Sequence, residues 1–106
     1  MRAIVRKVSS SFDQALAKYF GSGPTNLEEA FEQHEAYVKK LSDFGVSVKV
    51  IPSDSDYPDC CFVEDHAIVA GDSALMTNAG HDSRLGERNE VEFALSEDLN
   101  LEYMSD

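Results

Sequence analysis

A chain of 106 residues, 42% of them hydrophobic, is long enough for one domain with its own core, and its nine Gly and Pro residues are too few for a disordered or fibrous chain. Its 20 acidic residues against 9 basic ones give a formal charge of −11, the wrong sign for releasing counterions from nucleic acid or settling on an anionic membrane. The longest apolar runs, such as Ala67–Ala70, fall far short of the ~18 residues that span a bilayer. With no signal peptide at Met1–Arg6, the expectation is a soluble, cytoplasmic protein.

In chain order, Ala3–Val5 is a short apolar run suited to a buried strand. Ser11, with Gln14 three residues on, resembles a capping box for a short helix carrying Phe12, Leu16 and Phe20, stopped by Gly21-Ser22-Gly23-Pro24. The clearest helix spans about Leu27 to Phe44, with Asn26 as N-cap, Glu29 at the capping-box position and Gly45 as C-cap. Leu27, Ala30, Phe31, His34, Val38 and Leu41 share one of its faces, where His34 reads as a structural residue. Val46–Ile51 alternates as a strand with one wet face, and Pro52–Asp56 turns.

Cys61–Val63 and Ala67–Val69 read as apolar strands on either side of Glu64-Asp65-His66. Gly71-Asp72 signals a hairpin returning through Ser73–Thr77. Ser83 is placed to cap a helix from Arg84 to about Ser96 with Leu85, Val91, Ala94 and Leu95 inward, and Leu99–Met104 is a last strand. The expected class is α/β in a single 1–106 domain, strand–helix–strand over about 1–51 and a ββαβ unit over 57–106. Cys60 and Cys61 are adjacent, so on a strand they point to opposite faces, and no paired His/Cys spacing calls for zinc; no cofactor or metal is expected.

Tyr57-Pro58-Asp59-Cys60-Cys61-Phe62-Val63-Glu64-Asp65 carries the chemistry. Three carboxylates and one aromatic lie within seven residues of an otherwise apolar run, and charges so close to a buried strand need partners. A planar guanidinium fits: carboxylates accept its N–H donors and an aromatic face covers its plane. A strand end or the chain's own Lys and Arg residues would satisfy the acids equally well.

Pro58-Asp59 followed by Phe62-Val63-Glu64-Asp65 resembles the P-D-x-x-F-V-E-D motif of the dimethylarginine dimethylaminohydrolases, relatives of arginine deiminases and amidinotransferases. Ala3-Ile4-Val5-Arg6 is similar to that family's first strand, Glu32-Gln33-His34-Glu35-Ala36-Tyr37 to its E-Q-H-x-x-Y helix, and Ser83-Arg84 with Gly86-Glu87 to its S-R-x-G-E segment. The resemblance runs through the whole chain. It implies ββαβ modules of a five-bladed α/β propeller, here a partial propeller, and the hydrolysis of dimethylarginine to citrulline and dimethylamine. By the same resemblance Asp65 would hold the substrate's guanidinium nitrogens and Phe62 would pack against that group. Asp59 and Glu64 would line the pocket, Arg84 would take the α-carboxylate, and Leu16 would sit in a mobile lid.

The family's cysteine nucleophile and proton-transferring histidine are placed by the resemblance in later modules, so no catalytic residue is assigned in this chain. Cys60, Cys61, His66 and His81 fall outside those motifs. The expectations are a guanidinium-bearing small molecule such as dimethylarginine or arginine as ligand, separate C-terminal catalytic modules as partner, and a homo-oligomer formed through exposed sheet edges. The competing reading is a stand-alone acidic domain that binds cationic amino acids or a protein partner without catalysis.

Overall fold

The computed structural model describes residues 1–16 and 26–105. The chain divides into two compact units, Met1–Cys61 and Phe62–Asp106.

The first unit is built on two parallel strands, β1 (Arg2–Arg6) and β2 (Ser47–Ile51), registered Arg2 to Ser47 through Arg6 to Ile51. Parallel neighbours need a crossover, and α1 (Leu27–Asp43) lies within it. Both ends of α1 form as the sequence predicts. The Asn26 side chain accepts from the Glu29 N–H at 3.0 Å. At the other end Gly45, at φ 87°, donates to Ser42 O while Val46 donates to Leu41 O. That pair of bonds is a Schellman motif, and its left-handed position favours glycine.

Leu27, Ala30, His34, Val38 and Leu41 of α1 are half-buried, whereas Phe31 is exposed. The unit's buried apolar residues are Val5, Val8, Ala15, Ile51 and Cys60. The loops leaving the two strands are laced together: Arg6 Nε donates to Pro52 O at 2.8 Å, Ser9 Oγ to Asp54 O at 2.9 Å and Ser11 Oγ to Ser55 O at 2.8 Å. The expected capping box at Ser11 does not form. Phe12–Gln14 is a single 3₁₀ turn, and the Ser11 hydroxyl is turned to Ser55 instead of to the turn's amides. Phe20 and the predicted stop at 21–24 lie outside the described residues.

The second unit is a ββαβ module. β3 (Ala67–Ala70) and β4 (Ser73–Met76) form an antiparallel hairpin, and Gly71 takes the positive φ, 61°, that its two-residue turn requires. Then α2 (Arg88–Ser96) returns the chain to β5 (Asn100–Tyr103), which pairs parallel with β4, giving the order β3-β4-β5. The two-residue period of β4 puts Ala74 and Met76 on one face, buried with Val91, Ala94 and Leu95 of α2. Arg88 Nη1 donates to Thr77 O at 3.0 Å and its guanidinium lies 5.9 Å from the Tyr103 ring, tying the start of α2 to the ends of β4 and β5.

Four expectations change in this stretch. Cys61–Val63 is not a strand: Cys60 N donates to Tyr57 O, Asp65 N to Phe62 O and His66 N to Val63 O, so the backbone folds onto itself and Val63–Asp65 is a 3₁₀ turn. The helix expected from Arg84 is a 3₁₀ segment, Asp82–Glu87, before it becomes α2. His81 caps it, not Ser83: the imidazole Nδ1 accepts from Ser83 N at 3.1 Å. Leu85, expected inward, is exposed.

Candidate functional site

In the first unit Pro58-Asp59 follows directly on a turn in which Tyr57 N donates to Asp54 O. Asp59 is only 5% exposed, and both its carboxylate oxygens accept from the Leu16 backbone N–H at 3.2 Å. Two residues singled out from the sequence, Asp59 and Leu16, are thus in contact, through the backbone of the half-buried Leu16. An anion that receives a backbone N–H in this way holds Leu16 in place. The neighbouring Cys60 is buried with its thiol 3.6 Å from Lys7 O, and Cys60 and Cys61 are both free thiols.

The second unit gathers Phe62, Asp65 and Arg84 around one guanidinium. Arg84 reaches out of the 3₁₀ segment with Nη1 on Asp65 Oδ2 at 2.6 Å and Nη2 on Phe62 O at 3.1 Å. Its other edge engages Glu87: Nε donates to Oε1 at 3.0 Å and to Oε2 at 3.1 Å, and Nη2 to Oε1 at 2.8 Å. Asp65 remains 57% exposed while Arg84 is 13% exposed, so the acid stands at the surface and the guanidinium behind it. Glu64 is exposed and Phe62 half-buried. The 3₁₀ turn that replaces the expected strand sets the orientation of Asp65, whose backbone carbonyl is held by the Thr77 hydroxyl.

Beneath Arg84 lie two residues that were not singled out from the sequence. Glu87 is fully buried, and His66, 1% exposed, places Nε2 3.0 Å from Glu87 Oε1. A signal for Glu87 was available, since an acid three residues after Arg84 on a helical segment meets it on the same face. His66 had none, because its partner is 21 residues away.

Burial alone would lower the Arg84 pKa, but the hydrogen bonds and charges of Glu87 and Asp65 outweigh it and hold the guanidinium above its ordinary value. Arg84 is therefore a permanent cation lodged between two carboxylates. In the first unit, burial lowers the His34 pKa against the opposing pull of Glu35, as suits a histidine on a helix's packed face. Among the described residues no group of three or more His, Cys, Asp or Glu side chains is placed to hold a metal.

A parallel strand–helix–strand pair followed by a ββαβ module is the fold of part of an α/β propeller. The structural comparison bears this out: the N-terminal domain of an arginine dihydrolase of the cyanobacterial ornithine-ammonia cycle matches 98% of this chain with a TM-score of 0.82 at 16% identity, covering 40% of that chain. Within this class the relationship is specific. Residues 4–105 match the family described as N,N dimethylarginine dimethylhydrolase, eukaryotic, and the chain belongs to that family.

Two curated relatives agree. The N(G),N(G)-dimethylarginine dimethylaminohydrolase of Pseudomonas aeruginosa is 36% identical over 70 residues, 66% of this chain and 28% of the relative. The enzyme of the same name from Streptomyces coelicolor is 35% identical over 96 residues, 90% of this chain and 37% of the relative. A cysteine-to-serine variant of the Pseudomonas enzyme, solved in complex with citrulline, superimposes on 98% of this chain at a TM-score of 0.90 and 28% identity, covering 42% of its own length. The chain thus spans well under half the length of the relatives it matches.

Proposed function

We propose that this chain is the N-terminal substrate-binding part of a dimethylarginine dimethylaminohydrolase-type enzyme, and that it recognises the guanidinium of an amino acid. The observation that carries this reading is Asp65: it already receives a guanidinium N–H, from Arg84 at 2.6 Å, while more than half of its side chain faces solvent. A second guanidinium approaching from outside meets the same acceptor. Phe62 would pack against that group and Glu64 would line its surroundings.

The ligands of relatives support this substrate class. One relative was crystallised with citrulline, and another, a histidine-to-glycine variant, as an adduct with S-methyl-L-thiocitrulline. In the whole reaction, water would replace dimethylamine at the guanidinium carbon, leaving citrulline. A cysteine would attack that carbon and a histidine would move the protons, both supplied by modules other than this one. We place the protein in the cytoplasm, with no cofactor.

Two or so charge-assisted hydrogen bonds at about 1.5–3 kcal/mol each bring the affinity of the 106-residue chain for dimethylarginine to the order of 1 mM. Titration followed by NMR is expected to move the Asp65 and Arg84 signals with no citrulline released. Unmoved signals at saturating ligand would sink the substrate reading, and citrulline above the blank would show that the nucleophile lies in these residues.

The exposed apolar side chains Ile68, Val69, Phe93 and Tyr103 of the second unit, with β3 and β5 as its outer strands, lead us to expect self-association. Light scattering should report a dimer or larger species, and a monomer at high concentration would refute it.

A further inference from the structure

We propose that Glu87 and His66 are the positioning pair of the guanidinium site, orienting Arg84 from behind so that Asp65 keeps a net negative charge for the ligand. The proposal rests on the substrate reading above and deepens it, since neither residue belongs to the carboxylate cluster that reading uses.

Among the described residues, His66 Nδ1 is the buried side-chain nitrogen or oxygen with no hydrogen-bond partner, while Nε2 of the same ring sits 3.0 Å from Glu87 Oε1. A bare Nε2 would set its lone pair against a carboxylate and bury an unsatisfied Nδ1–H, two penalties at once. With the proton on Nε2, the ring donates to Glu87 and leaves only a lone pair unmatched. The partnering of the two ring nitrogens places a proton on Nε2, even with Arg84 Nη2 lying 3.5 Å from the same atom.

The charges then add in a definite way. Glu87, fully buried, faces Arg84 through three contacts, and these two opposite charges cancel. His66 contributes a hydrogen-bond donor to Glu87. Asp65, Arg84 and Glu87 together therefore sum to −1, and the excess resides on Asp65, the exposed member. Without Glu87, Arg84 would neutralise Asp65 and the site would lose its attraction for a cation. Without the His66 donor, Glu87 would have one anchor fewer, and the guanidinium it orients would gain freedom to swing away from the Asp65–Phe62 edge.

The test compares two amide replacements by NMR of the full chain. In His66→Gln the side-chain amide nitrogen reaches the place of Nε2; in His66→Asn it reaches only the place of Nδ1, which has no partner. In the wild type, His66 Nδ1 should resonate as an unprotonated ring nitrogen, and Arg84 Nε–H should appear as a slowly exchanging signal. His66→Gln should keep that Arg84 signal and hold L-arginine affinity within about twofold, whereas His66→Asn should broaden the signal and weaken binding about tenfold. A proton on Nδ1, or an asparagine variant that matches the glutamine variant, overturns the positioning role. The correct tautomer and a sharp Arg84 signal with no response to L-arginine would instead overturn the substrate reading, so the two failures separate.

Discussion

Replacing Arg84 by alanine is expected to destabilise the second unit by about 3–5 kcal/mol, because it removes the cation that faces a fully buried carboxylate. Glu87 is fully buried and takes three of its contacts from Arg84. The substitution removes those three contacts from a buried acid that also lies 3.0 Å from His66 Nε2. A domain of this size has about 5–15 kcal/mol of stability in total, so the urea midpoint should fall steeply. Removing both charges should do less harm than removing one. A double variant, Arg84→Leu with Glu87→Leu, leaves no stranded ion and fills similar volume, and is expected to recover most of the loss while abolishing guanidinium recognition. A single variant as stable as the parent, or a double variant no better than the single, would show that the buried pair does not hold this unit together.

What the sequence made legible, and what it concealed, follows from the range of the interactions. The ends of α1 were readable because a cap is local: Asn26 and Glu29 are three residues apart, and Gly45 has its own backbone signature. The β3–β4 hairpin was readable for the same reason at Gly71-Asp72. The apolar spelling of Cys61–Val63 suggested a strand, but periodicity over three residues cannot distinguish a strand from a tight turn, and Pro58 and the crowded acids favour the turn.

The error at Leu85 is more instructive. Val91, Ala94 and Leu95 do line the core, and a step of four residues back from Val91 lands on the buried Glu87, whereas Leu85, six residues before Val91, falls off that face. Helical spacing thus pointed to a polar inner stripe. Preferring the apolar residue obscured the buried Glu87 and, with it, the His66 contact. The acidic motif itself was found, but its pairing with Arg84, 19 residues on, depends on the ββαβ path that brings the two together.

The second large effect concerns Asp65 directly, and it separates a binding acid from a structural one. Asp65→Asn keeps the shape of the side chain and an oxygen able to accept from Arg84 Nη1, so stability should change little at a position 57% exposed. The charge, however, disappears, and Asp65, Arg84 and Glu87 then sum to zero instead of −1. Charge-assisted hydrogen bonds are about twice as strong as neutral ones, so a ligand guanidinium that binds by two of them should lose at least tenfold in affinity. Asp59→Asn should act in the opposite order: its carboxylate is buried on the Leu16 N–H, so stability falls before any effect on ligand is seen. Titration of both variants with L-arginine by NMR, alongside urea unfolding, resolves the two roles. Equal affinity in the parent and Asp65→Asn would remove Asp65 from the site. A fall in affinity for Asp59→Asn without any loss of stability would move the guanidinium to the other acid.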